Sequence, residues 1–324
     1  MPISYMMSSR DKTDDGFGYR KGPLCYFSSD AAADQLTIRS HWTEMSEKDF
    51  AKALINTAKS FPFFTDEDNK KQQHLSLFVH GYNNDWKDSV KQYTSIQSQI
   101  YSGGGSLGVL VLYTWPSDGN VASYLSDRRD VRACAPDLAD ALVALHDQII
   151  VMQRAAVRTE QAEEERFCRA KISVIAHSMG GYLMQKALAM ASQRLNNPQL
   201  VTLIHQLVLV AADMNNDLFQ KTQPMESDGS LMANLCYRIA AMYSGLDSVL
   251  GASSGLKHFG VRRLGRSGLA NNNVFDNVFC VDVTPLIKDT SDSAHSAVFR
   301  TPTAMRLLAS ILQGTDRGLL MNPG

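Results

Sequence analysis

Residues 172–180 constrain this chain more than any other stretch. Ile172-Ser173-Val174-Ile175-Ala176 is a β-branched, apolar run of the kind that forms a buried strand. Ser178 follows in His177-Ser178-Met179-Gly180, and a helical pattern carrying Leu183, Ala187 and Met190 comes directly after. A strand that becomes a helix within so few residues leaves no room for a side chain at Gly180. The same turn lifts the serine hydroxyl off the sheet and aims a helix N-terminus at it. This strand–serine–helix junction is the pattern of a nucleophile elbow, with Ala176 as the small residue two positions before the serine.

An elbow needs a sheet, and the sequence supplies one. Short apolar runs of the length of buried parallel strands occur at Leu75–Val79, Val109–Thr114, Ile172–Ala176, Leu207–Ala211, Tyr237–Tyr243 and Val278–Val283. Helical segments separate the first four. Leu138, Leu142, Leu145, Ile149 and Met152 fall on one face of a helix. Alternating strands and helices predict an α/β fold, a mostly parallel sheet with helices on both faces. Ser46–Lys59, with Ser46 able to cap it, and Thr303–Leu312 are further predicted helices. Residues 1–35 look irregular, with short extended pieces at Ile3–Met7 and Leu24–Phe27, and Leu36–Trp42 is a candidate strand. We expect a single domain over 1–324, with 1–70 as an N-terminal extension with the first strands and 71–315 as the catalytic core.

Composition narrows the class. Lys and Arg number 32 against 33 Asp and Glu, which gives no electrostatic footprint for nucleic acid or an anionic membrane. No apolar run is long enough to span a bilayer, and the polar N-terminus lacks the apolar centre of a secretory signal. The expectation is a cytoplasmic protein without stable membrane insertion. Cys25, Cys134, Cys168, Cys236 and Cys280 are too scattered for a disulfide framework or a metal site. Oligomeric state is not readable.

A serine hydroxyl needs a base to take its proton, and the base needs an orienting acid. His295 is the one histidine after the Val278–Val283 run, in a loop before the last helix, where such a base belongs. Two acids are candidates. Asp247 follows Tyr237–Tyr243 by a short turn, and Asp213 ends Leu207–Ala211. Asp247 is the preferred one, and Asp213 otherwise ties its loop to backbone near the elbow. The backbone N–H groups of Met179 and Tyr82 are the candidate oxyanion donors, with Gly81 letting the chain turn closely and His80 a structural hydrogen-bonder. Trp115 and Tyr124 are candidate walls of a substrate pocket, although Trp115 suits plain packing equally well. The Gly-, Ser- and Asn-rich segment 245–273 contains Arg262, Arg263 and Arg266, a solvated patch or an anion subsite. The charged stretch 158–169 reads as a helix end or loop.

Phe78-Val79-His80-Gly81-Tyr82-Asn83, Thr114-Trp115-Pro116-Ser117, Ala176-His177-Ser178-Met179-Gly180, Ala211-Ala212-Asp213, Ser244-Gly245-Leu246-Asp247 and His295-Ser296 occur in this order. Together they resemble the α/β-hydrolase superfamily, and more narrowly a little-characterised serine esterase/lipase-like branch of it. A weaker echo runs from Ser9-Arg10 to Gly18. The resemblance implies the α/β-hydrolase fold, with Ser178, Asp247 and His295 as nucleophile, acid and base. It implies a hydrolase acting on small-molecule carboxylic esters without metal or organic cofactor. The segment Asp213–Ser230 is too short for a large lid, which favours short acyl chains. A ligand- or partner-binding protein that keeps the fold without turnover is the alternative.

Overall fold

The computed structural model describes residues 3–62, 72–117, 124–158, 170–195, 202–254, 260–287 and 294–321. Most of the charged stretch 158–169, and Cys168 with it, lies outside them. The chain runs β1 (Ser4–Thr13), β2 (Gly16–Ser29), β3 (Thr43–Met45), α1 (Glu47–Lys59), β4 (His74–Val79), α2 (Trp86–Ile100), β5 (Gly108–Thr114) and α3 (Tyr124–Arg158). It continues with β6 (Lys171–His177), α4 (Met179–Arg194), β7 (Ile204–Val210), α5 (Asp228–Leu235), β8 (Cys236–Tyr243) and the short helices α6 (Ser248–Ala252) and α7 (Leu264–Ser267). β9 (Val278–Asp282), α8 (Thr284–Ile287), α9 (Pro302–Leu312) and α10 (Arg317–Met321) complete it.

The strands form one sheet in the order β3-β2-β1-β5-β4-β6-β7-β8-β9. Pairing is antiparallel within the β1-β2-β3 edge and parallel from β1–β5 through to β8–β9. Alternate residues of each central strand serve opposite faces, as the two-residue strand period requires. Leu75, Leu77, Val79, Val174, Ala176 and Leu209 join one core with α1, α3, α4 and α5. Phe78, Leu112, Ile175, Val208 and Val210 join the other with α2 and α9. The chain order reverses at β4, so the loops after β4 and β6 leave the sheet toward one crevice at its C-terminal edge. Such a switch point is where open α/β sheets bind ligands.

The N-terminus differs from expectation. β1 and β2 form a long hairpin rather than an irregular segment, and β1 also pairs with β5. The reason is that polar residues of β1 are buried with partners: Ser9 Oγ lies 2.7 Å from the Tyr113 hydroxyl, and Arg10 is almost wholly enclosed. Leu36–Trp42 is not a strand. It contains a 3₁₀ turn at Arg39–His41, and the Trp42 indole donates to the Leu36 carbonyl at 2.7 Å.

Buried and half-buried histidines set an acid limit on this fold. Burial pushes His74 and His177 down to about 3 and His205 to about 4, from an ordinary value of 6.5. Unfolding frees each to bind a proton near its ordinary value, so the unfolded chain takes up protons that the folded chain refuses. Their contribution to stability is complete above pH 6.5 and declines as pH falls toward 3–4. The urea midpoint is expected to drop steadily between pH 7 and pH 5, before most carboxylates titrate. A midpoint that stays constant over that range contradicts neutral burial.

Candidate active site

Ser178 follows β6 as the N-cap of α4, with φ 52° and ψ −121°, a left-handed conformation that side chains rarely adopt. Such strain costs on the order of 1–3 kcal/mol and persists only where neighbours over-determine it. Here they do. The Ser178 N–H donates to the Val210 carbonyl at 2.9 Å, and the Ser178 carbonyl accepts from the N–H groups of Gly181 and Asp213, both at 3.0 Å. Gly180 makes the turn possible, because a Cβ there would sit 2.6 Å from the carbonyl oxygens of Val79 and His80.

His295 Nε2 lies 2.8 Å from Ser178 Oγ, and His295 Nδ1 lies 2.7 Å from Asp247 Oδ2. A carboxylate only accepts, so the ring hydrogen sits on Nδ1 and leaves Nε2 to accept from the serine. Asp247 is fully buried, and its other oxygen accepts from the Leu250 N–H at 2.9 Å, capping α6. Arg266 Nη1 donates to the Asp247 carbonyl. The carboxylate is thereby fixed from both sides.

Asp213 faces elsewhere. Its Oδ2 accepts from the Tyr124 hydroxyl at 2.6 Å, and its Oδ1 accepts from Arg263 Nε at 2.7 Å and Ser253 Oγ at 3.3 Å. Arg263 Nη2 also donates to the Asp213 carbonyl. Both side chains are essentially enclosed, at 2% and 3% exposure. Buried Arg263 and half-buried Arg266 therefore brace the two acidic residues, while Arg262 is exposed.

The loop after β4 lies against the elbow: a Cβ on Gly81 would stand 2.9 Å from Ser178 Cβ and 2.8 Å from His177 Nδ1. His80 sets its orientation. The Trp115 N–H donates to His80 Nε2 at 3.1 Å, so the hydrogen is on Nδ1, which donates to the Gly81 carbonyl at 2.8 Å. Burial keeps His80 neutral, well below the ordinary histidine value. Asn84 Nδ2 donates to the same carbonyl at 3.2 Å. Gly81 C=O and Tyr82 N–H share one planar trans peptide and point in opposite directions. Holding the carbonyl therefore aims the Tyr82 N–H. Met179 opens α4, where the first N–H groups have no partner within the helix.

Two of the named residues hold the loop from behind. Trp115 is fully enclosed, stacked on His80 at 5.3 Å, with its indole donating to the His80 carbonyl at 3.0 Å. It therefore packs behind the loop rather than forming an open pocket wall. Tyr124 packs edge-on to Tyr82 at 5.6 Å between ring centres, so it does flank this corner.

Sequence reasoning missed two further contributors. Arg10 reaches across from β1: Nη2 donates to the Asn84 carbonyl at 2.8 Å, Nε to Thr114 Oγ1 at 2.9 Å and Nη1 to the Gly18 carbonyl at 3.1 Å. Burial lowers it to about 10, with Asp85 opposing, so it stays charged at neutral pH. His177 donates through Nε2 to the His295 carbonyl at 3.0 Å, joining the elbow to the histidine loop. A basic residue in an otherwise buried strand was the available signal for Arg10. For His177, only its place beside the serine was.

The chain matches, over residues 57–310, the family described as alpha/beta hydrolase of unknown function (DUF900), and it belongs to that family. An uncharacterized protein of Nostoc sp. (strain PCC 7120) is 25% identical over 218 residues, 57% of this chain and 50% of the relative. The chain thus spans about half the length of the curated relative it matches. Among solved structures it resembles the Pyrobaculum calidifontis esterase at 12% identity, covering 88% of this chain and 94% of that one, with a TM-score of 0.36. Aspergillus fumigatus lipase B is 11% identical, covering 78% and 54%, with a TM-score of 0.37. The fold assignment rests on the sheet order and the family, not on these likenesses. No helix among the described residues is long and apolar enough to cross a membrane.

Asp213→Asn leaves the buried Arg263 guanidinium without its counter-charge. Breaking a buried pair by removing one partner costs about 3–5 kcal/mol. Chemical denaturation of Asp213→Asn is expected to register a loss of that order, and Asp247→Asn a much smaller one. Equal losses contradict the division of labour between the two acids.

Proposed function

We propose that this protein is a serine hydrolase of carboxylic esters, with Ser178 as nucleophile, His295 as general base and acid, and Asp247 as the orienting acid. The observation that carries it is the imidazole of His295, at 2.8 Å from Ser178 Oγ and 2.7 Å from Asp247 Oδ2. Ser178 Oγ attacks the ester carbonyl carbon while His295 Nε2 takes its proton. The resulting oxyanion is stabilised by the N–H groups of Tyr82 and Met179. The carbon–oxygen bond to the alcohol then breaks as His295 returns the proton to the leaving oxygen. Water repeats the cycle on the acyl-enzyme and releases the acid. Histidine on the reacting atoms and a carboxylate on its far nitrogen suffice for this sequence.

The orientation of the Gly81–Tyr82 peptide supports the oxyanion role of Tyr82, since preorganised donors act without reorganisation cost. The segment between β7 and α5 is tied down by isolated bridges from Asn215 to Arg263 and from Gln220 to Val274. A tied segment rather than a free lid supports an open cleft and short acyl chains.

Fluorophosphonate labelling tests the nucleophile directly. The native protein is expected to label, Ser178→Ala not at all, and His295→Ala slowly. No labelling of the folded protein favours a binding protein that keeps the fold without turnover. On 4-nitrophenyl acetate, Asp247→Asn is expected to lower kcat about 10⁴-fold, the effect of the wrong histidine tautomer.

A separate comparison tests the orienting role of His80. His80→Gln is expected to lower kcat by about ten- to a hundredfold, less than deleting an oxyanion donor outright. KM should change little, because the loss falls on the transition state. A change confined to KM contradicts this role.

A further inference from the structure

A second polar feature sits beside the elbow, and the hydrolytic chemistry described above does not use it. Arg128, Tyr182, Lys186, Met214 and Arg263 are among the residues lining a recess of about 230 Å³. Tyr182 stands one helical turn after Ser178. Met214 follows Asp213, whose N–H holds the Ser178 carbonyl. A Cβ on Gly181 would touch Met214 Sδ at 3.1 Å, so the recess and the elbow share a wall.

Positive charge exceeds negative charge here. Arg263 is neutralised by Asp213, and Lys186 Nζ pairs with Asp228 at 2.6 Å. Arg128 has no carboxylate partner among the described residues. Its guanidinium lies 3.9 Å over the Tyr182 ring, and Nη1 reaches the Tyr124 hydroxyl at 3.3 Å. Arg132 donates from Nε to the Tyr182 hydroxyl at 3.1 Å. The phenol responds to this field. Burial alone raises it, yet the Arg132 hydrogen bond and the charges of Arg128 and Lys186 bring Tyr182 below the ordinary tyrosine value. A planar guanidinium held on an aromatic face, with free donors toward a polar recess, is suited to carboxylate and phosphate oxygens.

The side of the site is also defined. His295 approaches from the α9 side, where His177 packs on Phe299. The alcohol must leave near His295, which protonates it. The recess lies on the opposite side, with α3 and α4. A group reaching it belongs to the acyl half of the ester.

We infer that the recess is an anion subsite for the far end of the acyl group, so that the preferred esters carry a carboxylate or phosphate there. This rests on the esterase reading for its substrate role, whereas the anion site itself does not.

Two measurements on the full chain separate them. Inorganic phosphate titrated by calorimetry is expected to bind the native protein. Affinity should fall at least tenfold in Arg128→Gln and be largely restored in Arg128→Lys. Arg129→Gln is the control: it removes the same charge one residue along, from an exposed side chain whose hydrogen bond is to Ser126. It should leave phosphate binding as in the native protein. Second, the ratio of kcat/KM for the mono-4-nitrophenyl ester of glutaric acid to that for 4-nitrophenyl butyrate is expected to exceed one, and to fall at least tenfold in Arg128→Gln. No phosphate binding, or equal loss in the Arg128 and Arg129 variants, overturns the subsite. Phosphate binding with a neutral-ester preference overturns its substrate role. Phosphate binding with no hydrolysis of either ester overturns the esterase reading and leaves the subsite standing.

Discussion

The backbone of Ser178 is the constraint on which this structure turns. A serine at φ 52° is held there by three main-chain hydrogen bonds, one to β7 and two from residues downstream of it. Each bond contributes about 1 kcal/mol net, enough together to offset the strain. One of the three comes from Asp213, so the conformation of Ser178 is coupled to the buried Asp213–Arg263 pair. The pair also draws in Tyr124 from α3 and Ser253 beyond α6. Elements far apart in sequence thereby converge on one strained residue.

The loop opposite the elbow is built on a similar scheme. Gly81 approaches so closely that hydrogen is the one substituent tolerated there. Gly81 itself therefore has no side chain with which to fix the plane of its peptide. His80, Asn84 and Trp115 do so from below, and Arg10 ties Asn84 to β1. Burying a guanidinium is costly unless its donors are satisfied, and here backbone carbonyls and a threonine hydroxyl satisfy them. The N-terminal hairpin is thus a support of the site rather than an appendage, since its arginine crosses to the loops after both β4 and β5.

This explains what was legible in the sequence. The central strands announce themselves because both faces are buried, giving near-continuous apolar runs at Leu75–Val79 or Ile172–Ala176. The elbow and the Ser178–Asp247–His295 set follow from local pattern and chain order. The later part of β1 was opaque because Ser8, Ser9 and Arg10 are polar by type yet buried by context, and Ser9 and Arg10 find partners about a hundred residues away, at Tyr113 and Thr114 of β5. Leu36 and Trp42 misled in the opposite sense: they are apolar plugs at the two ends of a turn, not alternate residues of a strand. Trp115 was ambiguous from sequence because an aromatic at a strand end looks the same whether it lines a cleft or supports one.

The two acids make the same point about what geometry adds. Asp213 and Asp247 follow successive parallel strands and look alike in sequence. Asp213 falls beside Ala212 and Met214, which face the α3–α4 side of the sheet, where Tyr124 and Arg263 capture it. Asp247 lies one strand further out, against the loop that carries His295 toward α9. The histidine takes the acid on its own side of the sheet edge. The other acid is left to hold the Ser178 backbone, and its arginine borders a recess where a neighbouring guanidinium, Arg128, has no such partner among the described residues. One carboxylate therefore holds the imidazole of His295 and the other the strained turn, with the unbalanced positive charge on the side of the second.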